Sequence, residues 1–191
     1  KMPKIIGVRL SGRLRGWTSA KDIILKLAGI LTTKGATNAI IEYFGPGAST
    51  LSCTGKATCC NMGAEVGATT SVFPFDSSMA HYLASTGREI VAELATENAV
   101  NLRADNEVLA EPEKYYDRII DIDLTTLEPR YNGPFTPDAA HIAREMKDEI
   151  KGCNYPEKVE VSLIGSCTNS SYQDLSSAAS VPRQALEAGP K

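Results

Sequence analysis

No apolar run in this sequence approaches the roughly 20 residues that a bilayer-crossing helix needs. The opening Lys1-Met2-Pro3-Lys4-Ile5-Ile6 also lacks the zoned architecture of a secretory signal. The chain therefore reads as soluble, with no membrane partner. Positive charge is in short supply. A net charge of -3 gives no broad field for a phosphate backbone, although Lys1, Lys4, Arg9, Arg13 and Arg15 make the N-terminus locally basic, so a nucleic-acid partner is not expected. Histidine is scarcer still. His81 and His141 are the only two, each on an amphipathic helical pattern with no motif around it, which leaves a nucleophilic cysteine or serine without an evident base. The five cysteines contain no Cys-x-x-Cys spacing, which argues against a self-contained metal or cluster site. Their odd number and the adjacent pair Cys59-Cys60 do not suit a secreted disulfide framework, and a reducing compartment fits better. Asn169-Ser170-Ser171 matches a glycosylation sequon, which matters only in the secretory pathway.

What is present is an ordinary globular composition, 42% hydrophobic and 23% charged, with a mean hydropathy of -0.16. The length suits one domain with an appended piece, or two small domains. Residues 5–10 read as a strand. Ser19 caps an amphipathic helix in which Ile23, Ile24, Leu27, Ile30 and Leu31 recur, ended by Gly35. Residues 39–44 form a second strand, closed by Gly45-Pro46-Gly47. Helical patterns follow over residues 78–83 and 90–95, and Ile119 to Leu124 alternates as a half-buried strand does. A three-layer-like α/β domain closes near residue 130. Asn132-Gly133-Pro134 breaks the pattern, and Thr136-Pro137 reads as the start of a helix over residues 139–150. Residues 159–164 then read as a strand and residues 171–188 as a helix up to Pro190-Lys191. This last strand-helix unit has no partner strand, an incomplete layer that points to a piece of something longer. The expected division is thus residues 1–130 as one α/β domain and residues 131–191 as the start of a second.

Two stretches carry chemistry. In Gly165-Ser166-Cys167-Thr168-Asn169 a cysteine sits between an expected strand and an expected helix start, where Ser170 and Ser171 are candidate caps. Helix-end amides lower a thiol's pKa, which suits either a nucleophile or an iron-bound thiolate, whereas a lone intracellular cysteine is commonly just a small apolar side chain. The residues alone leave these readings open. The second stretch runs from Thr54 to Glu65, with Asn61 and Glu65 four residues apart on one face of an expected helix. A carboxylate beside an amide can orient a histidine or a metal-bound water, though such pairs are often solvated neighbours. The small, weakly charged surroundings favour burial here. Gly55-Lys56 does not make a phosphate loop, because Ala57 stands where the magnesium-binding hydroxyl should follow.

Together these stretches resemble the aconitases, and of the mitochondrial type. The resemblance rests on the pattern from Cys53-Thr54-Gly55 through Asn61-Met62-Gly63-Ala64-Glu65 to Phe73-Pro74, and on Gly165-Ser166-Cys167-Thr168-Asn169-Ser170-Ser171-Tyr172 with Asp174. Asn132-Gly133-Pro134-Phe135-Thr136-Pro137-Asp138 lies between them. It covers nearly the whole chain, as an internal piece spanning the second domain and the start of the third, in what is called the iron-sulfur region. It implies a hydro-lyase of the tricarboxylic acid cycle that interconverts citrate and isocitrate through cis-aconitate with a [4Fe-4S] cluster. By resemblance Cys167 is the first of three thiolate ligands, the other two lying outside this chain, and Asn61 and Glu65 line the catalytic site. Glu65 would pair with a histidine of the preceding domain. The remaining aconitase domains are thereby implied as partners, and the mitochondrial matrix as location in a eukaryote, the cytoplasm otherwise. Lys56 and Cys59 depart from the family pattern, which usually has methionine and an aliphatic residue there. The isolated chain is expected to be inactive. Homoaconitase and isopropylmalate isomerase share the Gly-Ser-Cys-Thr-Asn turn, but Ser171-Tyr172 argues against them. An RNA-binding apo form, or a structural piece whose Cys167 never meets metal, completes the alternatives.

Overall fold

A computed structural model describes residues 2–189, so Lys1 of the basic N-terminal cluster and the terminal Pro190-Lys191 lie outside the described residues. Strand β1 (Lys4–Ser11), helix α1 (Ala20–Leu31) and strand β2 (Ala39–Phe44) form the opening unit. Helix α2 (Cys53–Asn61) runs into a 3₁₀ turn (Met62–Val66) and strand β3 (Thr70–Val72). Helices α3 (Ser77–Ser85), α4 (Glu89–Glu97) and α5 (Asn106–Ala110) precede strand β4 (Arg118–Asp123). The order in the sheet is β3-β2-β1-β4 and every pairing is parallel, with Ile6 opposite Ile41 on one side and Arg118 on the other. Parallel neighbours need a crossover, and α1 supplies it between β1 and β2. The expected α/β class is what the chain adopts.

The core lies on one face of this sheet. Ile6, Val8, Leu10, Ile41, Tyr43, Ile120 and Ile122 alternate inward and meet Ile23, Ile24, Leu27 and Leu31 of α1, with Cys59, Met62 and Val66 behind. Each such aliphatic side chain removed from water contributes roughly 1.5–3 kcal/mol. The opposite face holds the Phe44–Tyr116 ring pair, 5.0 Å between centroids, packed over Gly7. Arg9 lies 5.6 Å above the Phe44 ring and pairs with Glu113 and Asp121.

Helix α1 opens with a capping box, the Asp22 carboxylate accepting from the Ser19 amide at 2.7 Å. It ends at Leu31 rather than at Gly35, with Thr32 in the left-handed region (φ 62). Gly35 serves the turn differently: a Cβ there would stand 1.8 Å from the Leu31 carbonyl oxygen, so the chain can fold back on the helix only without a side chain.

Beyond β4 the sequence reading needs two corrections. Residues 139–150 are not one helix. Ala140–Ile142 is strand β6, antiparallel to β5 (Arg130–Asn132), and helix α6 (Met146–Cys153) begins only after a short 3₁₀ turn. Tertiary anchoring overrides the local pattern. Asn132 Nδ2 donates to the Leu25 carbonyl at 3.2 Å, the Thr33 amide donates to Asp138 at 3.1 Å, and the Tyr131 and His141 rings stack. His141 therefore sits on a strand, not a helix, and pairs with Glu149 at 2.7 Å, while His81 is exposed on α3. Residues 159–164 form no strand: Val161 and Leu163 are 84% and 85% exposed, and no strand among the described residues pairs with them. Alternation alone cannot make a strand where no neighbouring backbone completes the hydrogen bonds. Helix α7 (Tyr172–Ala188) closes the described chain, capped by Ser171 with Asp174 as expected.

Candidate functional site

The site is built on α2. Ser52 starts this helix by accepting from the Gly55 amide at 3.1 Å. The helix has no single apolar face, and three directions are used separately. Cys59 is fully buried on the core side, its thiol donating to the Ala20 carbonyl of α1 at 3.3 Å. Lys56, 2% exposed, points to α3, where its ammonium meets the Asp76 carboxylate and the Ser78 hydroxyl. Thr54, Thr58 and Asn61, spaced i, i+4 and i+7, form the third stripe.

That stripe meets the turn around Cys167. Thr54 donates to Gln173 Oε1 at 2.5 Å and Thr58 to the Thr168 carbonyl at 3.2 Å. Asn61 Nδ2 donates to the Thr168 hydroxyl at 2.7 Å and reaches the Cys167 sulfur at 3.6 Å. Two of the sequence-derived residues, Asn61 and Cys167, thus come into contact across 106 positions of chain. A cavity of about 680 Å³ adjoins the junction, with Ser19, Lys21, Thr58, Ser166 and Asn169 on its wall.

Three expectations need correcting. Asn61 and Glu65 do not share one helix: α2 ends at Asn61, and Glu65 lies on the 3₁₀ turn that follows, the tightening common at helix C-termini. Both are exposed rather than buried, and Glu65 has no hydrogen bond or ion pair among the described residues. Cys167 is not at the helix start. It lies four residues before the Ser171 cap, in a turn where Ser166 has φ 71, with its sulfur exposed. Its sulfur meets Asn61 Nδ2, and the first-turn amide of Asp174 goes to the Ser171 hydroxyl instead.

Of the other four thiols, Cys153 is exposed as Cys167 is, and the remaining three are wholly or partly buried. Burial pushes Cys59 far above the thiol range and Cys60 to about 11, and it raises Cys53 as well, so all three are held as thiols at neutral pH. Among the described residues no three His, Cys, Asp or Glu side chains come together as a metal site. Sequence reasoning passed over Thr54, Thr58 and Gln173. For the two threonines the signal was the stripe spacing, which has no meaning until the partner turn is known; Gln173 carried none.

Comparison with known proteins extends over the whole chain. The profile described as the aconitase family (aconitate hydratase) matches residues 1–191. The mitochondrial aconitate hydratase of Schizosaccharomyces pombe is 56% identical over 191 residues, all of this chain and 23% of that protein. A probable mitochondrial aconitate hydratase of Dictyostelium discoideum is 56% identical over 99% of this chain and 24% of its own length. One from Caenorhabditis elegans is 55% identical over 100% and 24%. The chain spans about a quarter of the length of these curated relatives.

Proposed function

The chain belongs to the aconitase family, and from that premise we propose that it is the central portion of a mitochondrial aconitate hydratase, a hydro-lyase interconverting citrate and isocitrate through cis-aconitate. In this reading residues 1–130 are one domain and residues 131–191 begin the next. Cys167 contributes one of three thiolates to a [4Fe-4S] cluster, and the other two come from beyond this chain. When bound, the cluster supplies a Lewis-acidic iron that polarises the hydroxyl and carboxylate of the substrate.

The observation that carries this reading is the contact of Asn61 Nδ2 with the exposed Cys167 sulfur at 3.6 Å. The donor chemistry fits one edge of a cluster: an accessible sulfur with an amide N–H aimed at it, which steadies negative charge on the thiolate. Glu65, exposed and unengaged within the described residues, is available to accept an N–H from a histidine of a preceding domain and so fix that ring's tautomer. Neither residue moves a proton alone. With one thiolate of three, and Glu65 without its histidine, the 191-residue chain is by this reading inactive on its own.

Iron and sulfide analysis of the longer enzyme carrying Cys167→Ser tests the assignment. Loss of cluster absorbance is expected, and retention of a normal cluster would refute the ligand role. Separately, aconitase turnover by the 191-residue chain after anaerobic reconstitution would overturn the claim that it is incomplete.

A further inference from the structure

We propose that Thr58 is a positioning residue for Cys167. Thr58 is 3% exposed, although the residue it holds belongs to an exposed turn. The hydroxyl has one proton and two acceptors at the same distance, the Thr54 carbonyl of its own helix at 3.2 Å and the Thr168 carbonyl at 3.2 Å. A mid-helix threonine ordinarily bonds back to its own turn. Here the second acceptor lies 110 positions away and follows Cys167 directly. Thr168 is then gripped at two atoms by α2, its carbonyl by Thr58 and its hydroxyl by Asn61 at 2.7 Å. Two bonds to one residue fix its orientation, where one would leave it free to swing. The sulfur one residue earlier is thereby aimed along Asn61.

The other side-chain tie from α2 to this segment among the described residues is Thr54 to Gln173, on the first turn of α7 rather than at Thr168. Within the turn, Thr168 has only its own amide bonded to Ser166 Oγ at 3.3 Å. Helix α7 begins three residues after Thr168 with its cap. The buried hydroxyl of Thr58 is thus the deepest polar anchor the turn possesses.

The experiment uses the 191-residue chain and nuclear Overhauser contacts between the Asn61 side-chain amide and the Cys167 β-protons. Thr58→Val keeps shape and removes the donor, so the contact should disappear and amide protection at Thr168 should fall. Thr58→Ser keeps the hydroxyl and should restore both, a rescue that a packing role would not produce. If valine is not accommodated, Thr58→Ala removes the same donor without a branch to clash. Persistence of the Asn61–Cys167 contact in the folded valine or alanine variant would overturn the proposal.

The functional half rests on the reading of Cys167 as a cluster ligand. In the longer enzyme, Thr58→Val should lose iron to a chelator about tenfold faster than Thr58→Ser, and equal rates would overturn that half. Should the reading of Cys167 itself be wrong, Cys167→Ser retains its cluster, while the nuclear Overhauser result is unaffected.

Discussion

Replacing Lys56 by methionine isolates one buried charge. Methionine has nearly the length of lysine and leaves no cavity, so the cost is electrostatic. The Lys56 side chain is 2% exposed and that of its partner Asp76 is 20%. Asp76 has two duties. Oδ1 caps α3 by accepting from the Ser78 and Met79 amides at 3.0 and 3.3 Å, and Oδ2 takes the ammonium of Lys56. Removing one partner of a buried pair costs roughly 3–5 kcal/mol. Asp76 retains some access to water, so Lys56→Met should cost about 3 kcal/mol by the same principle. For a chain of this size that is a fall in Tm of about 6–12 °C. Adding Asp76→Ser removes the second charge and keeps a capping hydroxyl, which should recover most of the loss.

The pH dependence gives an independent check. Burial pushes the Asp76 carboxyl up, but the bonds from Lys56, Ser78 and Met79 outweigh it and hold it below its usual value of 3.8. A carboxylate with a lowered folded pKa contributes stability above its unfolded pKa, and that stability is lost as pH falls through the folded one. The unaltered protein should therefore weaken below about pH 4 from this group. In Lys56→Met the carboxylate faces burial without its cation, so this part of the dependence flattens or reverses. Urea unfolding followed by far-ultraviolet circular dichroism at pH 7 and pH 3 measures both effects. A variant within about 0.5 kcal/mol of the parent at pH 7, the level of an ordinary surface change, would refute the reasoning, as would failure of Asp76→Ser to rescue.

Gly7→Ala should destabilise by about 1–3 kcal/mol, a cost typical of overpacking, because the new Cβ would stand 2.8 Å from the Tyr116 ring and 3.0 Å from Phe44; an unchanged denaturation midpoint would count against that packing. Iodoacetamide at pH 7.5 followed by peptide mass mapping should label Cys153 and Cys167 first, since both are exposed, and leave Cys59 unmodified until the chain unfolds. Early modification of Cys59 would contradict its place beneath α1.

The residues that could be read ahead of the structure are those whose partners are local or numerous. Residues 5–10, 39–44 and 119–124 were legible as strands, the last through its alternation, and Ser19 and Ser171 as helix caps, whose partners Asp22 and Asp174 the structure supplies. What escaped was decided at long range. The helix expected over residues 139–150 yields to a hairpin because Asn132 and Asp138 bond to α1 and the turn after it. The small residues around Asn61 and Glu65 suggested burial, yet smallness there lets α2 approach Ala20 and β3 on its other side and leaves those two side chains outside. Lys56 was noticed as a departure, the one charge between Leu51 and Gly63. Its meaning required Asp76, and no local pattern pairs those two.

The ribbon from Val159 to Ile164 carries a further implication for how the molecule behaves in bulk. Val159, Val161 and Leu163 stand in water, and no strand among the described residues engages the main chain beside them, which leaves a template for another edge. Two copies meeting there can zip together without disturbing the well-packed sheet. A lysine in place of Val161 or Leu163 should therefore slow self-association of the 191-residue chain at high concentration, read by light scattering, and leave its folding stability unchanged.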